Sequence, residues 1–267
     1  MENENAFSTQ PHPGGYQAMV ITSTENAKVA YAAKLLEKKH RKSSGLYLIE
    51  GERLVCDAQK HGAEIVDVFV KESVQHKFDF PNQTVVSDRV FAKLCDTVNS
   101  QGVLAVVKQP QRAFCPPCGN SLVLDGLQDP GNVGTLIRTA AACGFSDVFA
   151  VNCVDVFSPK VLRAAMSAHF CVNVWQFDAV DQVLPLLGCQ VLAADMNGEN
   201  VFSAQFSPKV AVVLGNEGNG LSDYSKTHAD KIVSLPMKNN FESLNVAVAG
   251  SVIMYQIFAE QNKNTEE

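Results

Sequence analysis

SLVLDGLQDPGNVGTLIRTAAACGFSDVFAV, residues 121–151, carries an apolar run, a turn, a helical stretch and a second apolar run in succession. Leu122–Leu127 is an apolar run with the character of a buried strand. Pro130 and Gly131 then make a turn, where Asn132 can cap a helix. A helical stretch covers Thr135–Cys143, with Gly144 as the residue just past its end. Asp147–Val151 is a second strand. The same kind of run recurs at Val172–Phe177, Gln190–Ala194, Val210–Leu214 and Ile232–Leu235, with helical stretches such as Pro159–His169 between most of them. Runs apolar throughout belong to strands covered on both faces. The region from 121 onward therefore reads as α/β, a parallel sheet with helices on both faces. A long amphipathic helix, Leu244 to Glu260, is expected to close it.

Upstream lies a smaller alternation. Leu46–Glu50, Ile65–Val70 and Leu104–Lys108 read as strands. Glu52–His61 and Ser87–Cys95 read as helices, the second capped by Ser87 with Asp88 in its first turn. Residues 26–108 thus form a small α/β domain, opened by a helix over 26–42. The segment QPQRAFCPPCGN, 109–120, has the prolines and glycine of a linker. Its single Cys115–Cys118 pair lacks the second half of a zinc site. Residues 1–25 are polar, show no period, and are expected to be a mobile tail.

Composition narrows the function. Of 267 residues 46% are apolar and 19% charged, which is globular and excludes wholesale disorder, collagen and disulfide scaffolds. The eight cysteines lie mostly in apolar runs, and residues 1–25 hold no Lys or Arg, so reduced thiols in a soluble, cytoplasmic protein are expected. The longest apolar stretch, Val246–Ala259, is interrupted by Gly250, Ser251 and Gln256 and is too short to span a bilayer. The net charge is −6, yet Lys28, Lys34, Lys38, Lys39, Arg41 and Lys42 face only Glu37 within 26–42. That segment carries +5 and leaves −11 elsewhere. It is either a solvated helix face or a phosphate-contacting patch.

The six histidines are scattered without metal spacing, and no metal is expected. GxSxG, GxxxxGK[ST] and GxGxxG are all absent, so a hydrolase triad, a P-loop and a dinucleotide site lack support. Three turns remain, each just after an apolar strand, where open α/β sheets bind ligands. In 124–145, Arg138 sits among Leu136, Ile137, Ala140 and Ala141. It needs an anionic ligand or an ion pair with Asp125 or Asp129. In VVLGNEGNGLS, 212–222, the glycines make either a plain turn or a loop that lets backbone approach a ligand, with Glu217 within it. In LPMKNNFESLNVAVAG, 235–250, Ser243 and Asn245 either cap the last helix or present a polar, electropositive terminus.

Taken together, NVGTLIRTAAACGF, LGNEGNGLS and LPMKNNFESLNVAVAG resemble motifs one, two and three of the SpoU/TrmH group of SPOUT methyltransferases, over roughly 121–260. GLYLIEGERLVCDA and VSDRVFAKLCDTVNSQGVLAVV resemble the L30e-like substrate-binding domain that precedes such domains in many rRNA methyltransferases. The resemblance implies transfer of a methyl group from S-adenosylmethionine to a ribose 2′-hydroxyl of RNA. It also implies a deep trefoil knot, and a homodimer through the C-terminal domain whose active sites draw on both chains. On it, Asn132, Arg138, Glu217, Ser243 and Asn245 match the catalytic positions. Gly215, Leu235, Met237 and Leu244 match the cofactor-lining positions. Lys160 and Arg163 resemble positions near the RNA cleft. Met166-Ser167-Ala168 and Asn239–Asn240 depart from stretches that commonly contain glycine, which bears on substrate fit. Arg138 is read as a phosphate clamp, since its pKa is too high for a general base. The first domain tilts the substrate to rRNA. The alternatives are tRNA methylation and a non-catalytic RNA-binding module.

Overall fold

The computed structural model describes residues 7–10, 18–97, 99–238 and 243–263. The chain divides into two compact units, Met1–Arg112 with Phe157–Pro159, and Ala113–Val156 with Lys160–Glu267.

The first unit contains β1 (Phe7–Gln10), β2 (Ala18–Ile21), α1 (Ala27–Lys34), α2 (Lys38–Ser44), β3 (Leu46–Glu50), α3 (Glu52–Lys60), β4 (Ile65–Lys71), β5 (Gln83–Val86), α4 (Asp88–Leu94) and β6 (Val103–Lys108). Its mixed sheet has the order β1-β2-β5-β4-β6-β3. Leu35, Phe69, Phe91, Leu94 and Leu104 fill the core between sheet and helices. Ser87 caps α4 as its sequence suggests, accepting from the Val90 N–H.

Two expectations are corrected here. Residues 18–25 are not a tail: β2 pairs with β5 at Ile21–Val86, and Val20 is fully buried. Two apolar β-branched residues suffice to extend the sheet by one strand, and β1 then pairs with β2. The helix over 26–42 is two helices. The buried Arg41 guanidinium donates to the Leu35 carbonyl at 2.7 Å, satisfying a helix-end acceptor in the break.

The second unit contains β7 (Ser121–Asp125), α5 (Pro130–Ala142), β8 (Asp147–Val151), α6 (Pro159–Ala165), β9 (Asn173–Phe177), β10 (Gln190–Asn200), β11 (Val210–Gly215), α7 (Asp223–His228), β12 (Lys231–Ser234) and α8 (Val246–Asn262). All six strands are parallel, in the order β12-β10-β11-β7-β8-β9. The central strands β7, β8 and β11 are buried almost end to end, which is why their sequences are apolar without alternation. Part of the expected linker packs onto this unit: the Phe114 ring stands edge-on to Trp175 at 5.3 Å.

Helices α5 and α8 lie side by side, joined by a 2.9 Å bond between the Thr139 and Ser251 hydroxyls. Gly250 permits that approach, because a Cβ there would fall 2.3 Å from Leu214 Cδ1 and 2.6 Å from Leu136 Cδ2. The closing helix is not amphipathic in the ordinary sense. Ala247, Ile253, Met254 and Ile257 are buried, while Leu244 just before it and Val248, Val252, Tyr255 and Phe258 along it are exposed. No helix among the described residues is long and apolar enough to cross a membrane.

Candidate active site

The site is built where β10, β11 and β12 end. β11 runs into Gly215 and a turn closed by paired backbone bonds between Asn216 and Gly220 at 2.9 and 2.8 Å. The Asn216 side chain organises this turn. Its Oδ1 accepts from the Gly218 and Asn219 N–H groups at 2.9 and 3.1 Å, and its Nδ2 donates to the Gly126 carbonyl at 2.7 Å. Asp125, at the end of β7, fastens the far side of the turn. Its Oδ2 accepts from the Ser222 N–H at 3.1 Å and from the Ser222 and Ser225 hydroxyls, each at 2.6 Å. Gly215 is glycine for lack of room: a Cβ would lie 2.3 Å from both Gly220 C and Leu221 N.

Beside this turn stands a chain of side-chain hydrogen bonds. Asn245 caps α8, its Oδ1 accepting from Ala247 and Val248 N–H at 2.9 and 3.2 Å. That fixes the amide, so Asn245 Nδ2 donates to Asn132 Oδ1 at 3.0 Å. Asn132 Nδ2 in turn donates to Glu217 Oε1 at 3.0 Å. The positive terminus of α8 is thus linked through two oriented amides to one carboxylate. Asn132 itself does not cap α5. Asp129 does, through a 2.7 Å bond from the Asn132 N–H, which leaves the Asn132 side chain free for this role.

The turns enclose a cavity of about 500 Å³. Gly215, Leu235, Met237 and Leu244 line it, as do Glu217, Ser243 and Asn245. Ala194, Asp195 and Met196 also line it and are not among the residues singled out from sequence. The signal for them is the polar stretch that follows the apolar run Val191–Ala194, placed as the other site segments are, just after an apolar strand run.

Arg138 is elsewhere. It is exposed on α5, does not line the cavity, and has no hydrogen bond or ion pair among the described residues. Six helical residues from Asn132 advance about 600°, which turns it roughly 120° away from the Asn132 side chain. The ion pair with Asp125 or Asp129 is absent, because those carboxylates hold Ser222, Ser225 and the start of α5.

The basic residues of the first unit separate into two groups. Lys34, Lys38, Lys39 and Lys42 face solvent. Lys28 is held by Asp67 at 2.5 Å and by Thr84 at 3.0 Å. Arg41 is only 4% exposed, so its expected phosphate contact is corrected to a structural role. Lys160 is exposed and Arg163 half-buried. Met166 takes a φ of 53°, a left-handed conformation that glycine adopts more readily, within the stretch that departs from the expected pattern. Asn239–Asn240 lies outside the described residues. Among those described, no group of three His, Cys, Asp or Glu could hold a metal ion.

Residues 119–255 match the SpoU rRNA Methylase family, and residues 26–105 match the MRM3-like substrate binding domain. The chain is 33% identical over 264 residues to an uncharacterized tRNA/rRNA methyltransferase of Synechocystis, covering 90% of this chain and 94% of that protein. It is 32% identical over 244 residues to the 23S rRNA (guanosine(2553)-2′-O)-methyltransferase RlmP of Bacillus subtilis, covering 89% and 98%. The crystal structure of an AdoMet-bound rRNA methyltransferase from Sinorhizobium meliloti superposes with a TM-score of 0.77 at 28% identity, covering 90% of this chain and 97% of that one. The chain belongs to the SpoU rRNA methylase family.

Proposed function

We propose that this chain transfers a methyl group from S-adenosylmethionine to a ribose 2′-hydroxyl of RNA, with rRNA as the substrate. The observation that carries the reading is the cavity whose rim holds the Asn245–Asn132–Glu217 chain. Its volume of about 500 Å³ suits a nucleoside-sized ligand. Leu214, Leu235, Met237 and Leu244 offer apolar wall, and the glycine at 215 leaves backbone open to contact.

When bound, S-adenosylmethionine supplies an electrophilic methyl group on its sulfonium. The protein must then make an alcohol nucleophilic. Glu217 Oε1 is occupied by Asn132, and the exposed carboxylate keeps capacity to accept the hydroxyl proton. Asn132 and Asn245 hold that carboxylate in one orientation. Ser243, at the rim, orients the incoming hydroxyl. Arg138, permanently charged, clamps the phosphate beside the target ribose and stabilises the developing alkoxide. Its place outside the cavity fits a site completed by a second copy of the chain.

The exposed apolar face of α8 supports that dimer. Leu244, Val248, Val252, Tyr255 and Phe258 recur every three or four residues, with Val248 50% and Tyr255 52% exposed. Tyr255→Glu is expected to convert a dimer to a monomer in sedimentation; an unchanged mass rejects this face. A trefoil knot formed by the site loops and action in the cytoplasm complete the proposal, the latter supported by eight cysteines that form no disulfide.

The test is to map 2′-O-methyl groups in rRNA and tRNA from cells with and without the gene. Loss of one rRNA methyl group is expected. Loss confined to tRNA moves the substrate, and no loss in either rejects the activity.

A further inference from the structure

We infer that Asp195 is the acceptor for the ribose hydroxyls of the methyl donor's own nucleoside, an inference that rests on reading the cavity as the S-adenosylmethionine site. Strand β10 pairs with β12 in two registers: Ala194 and Glu199 both lie opposite Val233. Residues 195–198 are therefore bulged out of the ladder. A bulge of this kind re-aims side chains at a strand end. Here it delivers Asp195 and Met196 to the cavity wall.

The sheet order gives the bulge its meaning. β11 stands between β10 and β7, so Asp195 on β10 and Asn132 beyond β7 lie on opposite sides of the strand that leads into Gly215 and Glu217. Glu217, Gly215 and Asp195 all line the one cavity, so a donor whose methyl group reached Glu217 would have Asp195 at the far side of the side-chain-free Gly215 to hold its nucleoside.

The carboxylate is set up to accept. Asp195 Oδ1 is oriented by the Asn197 N–H at 3.1 Å and the Asn197 amide at 3.3 Å. Oδ2 has Lys226 Nζ at 3.9 Å, close enough to offset its charge but too far for a hydrogen bond. The side chain keeps 25% exposure. A carboxylate already balanced by a lysine favours neutral donors such as a vicinal diol over a second cation. Met196 and Leu235 provide apolar surface for the attached base. An acid at the end of a parallel strand that bonds ribose hydroxyls is a recurring solution in nucleoside-binding α/β sheets.

The test is a binding cycle by calorimetry with S-adenosylhomocysteine, its 2′,3′-dideoxy analogue and 5′-methylthioadenosine, on the full chain and on Asp195→Ala and Asp195→Asn. Asp195→Ala is expected to weaken S-adenosylhomocysteine about tenfold or more. The same loss is expected for methylthioadenosine, which lacks the amino-acid ammonium. The dideoxy analogue should change by less than about twofold. In turnover, KM for S-adenosylmethionine rises and kcat stays near that of the parent. Asp195→Asn, which keeps one acceptor oxygen, should recover part of the affinity. Equal losses with and without the hydroxyls overturn the inference, as does a loss that disappears with methylthioadenosine. If the unaltered chain binds none of the three ligands, the reading of the cavity fails along with it, and the two failures are told apart.

Discussion

Replacing Gly215 with alanine adds a methyl group at the one point where the site turn folds back on its own strand. The new Cβ would stand 2.3 Å from Gly220 C and Leu221 N, and 2.5 Å from Gly220 O. Ordinary contact is 3.4–4 Å, so the neighbours must part by about 1 Å. They are backbone atoms and cannot rotate aside. Behind them β11 is buried and immovable, while the turn itself faces the cavity. Overpacking of this kind costs about 1–3 kcal/mol. The turn is the softer side, so the cost should appear as lost ligand affinity, about 5- to 150-fold in Kd for S-adenosylhomocysteine by calorimetry. Thermal stability, measured alongside, should fall by less than the full cost, because a shifted turn relieves the strain in the free chain while ligand binding must restore the original turn. A Kd within twofold of the parent would refute the claim that this turn forms the cofactor wall. A large fall in Tm at unchanged Kd would place the strain in the core instead.

Further expectations concern the same framework. Asn132→Asp removes the donor to Glu217 and sets a second carboxylate against it, so kcat should fall about tenfold or more and the acid limb of its pH profile should move upward; an unchanged profile would remove Glu217 from proton transfer. Asp125→Ala strips three hydrogen bonds from a carboxylate and leaves the buried Ser225 hydroxyl without that acceptor. Such bonds are worth about 1.5–3 kcal/mol, a Tm decrease of roughly 3–12 °C by calorimetric scanning. Burial holds the His169 imidazole down at about 4 against its usual 6.5, although the Val156 carbonyl and Asp155 pull the other way. The folded chain therefore resists a proton that the unfolded chain accepts. That contribution is complete above pH 6.5 and is withdrawn as pH falls from there toward 4. Tm should decline over this window, and His169→Gln should flatten the decline. Lys38→Ala with Lys39→Ala should weaken RNA binding and reduce its salt dependence by about 0.7 per lost single-strand phosphate contact. Arg41→Ala should instead lower Tm and leave the salt slope unchanged.

The parallel sheet was readable because β7, β8 and β11 are apolar at consecutive positions, a pattern that only strands covered on both faces require. The site turns were readable because each follows such a strand. Other features depend on contacts that no local pattern records. The break between α1 and α2 is made by Arg41 reaching back six residues to a carbonyl, and six basic residues in one stretch conceal that one of them is buried. β2 is four residues long, and its pairing with β5 spans most of the first unit. The β10 arm of the cavity is built by a bulge against β12, a strand that follows it by some thirty residues. The Asn245–Asn132–Glu217 chain joins three distant turns. Each residue was identifiable from its motif, but their mutual bonds were not. The direction of Arg138 follows from helical phase once α5 is placed.

This chain is expected to move a methyl group onto a ribose oxygen. Purified protein incubated with isotopically labelled S-adenosylmethionine and unmodified rRNA, followed by nuclease digestion and mass spectrometry, tests it directly. Label in a single 2′-O-methylnucleoside, abolished by Arg138→Ala and Asn132→Ala, is the expected result. Label on a base, or none in RNA under conditions where S-adenosylmethionine binds, would contradict it.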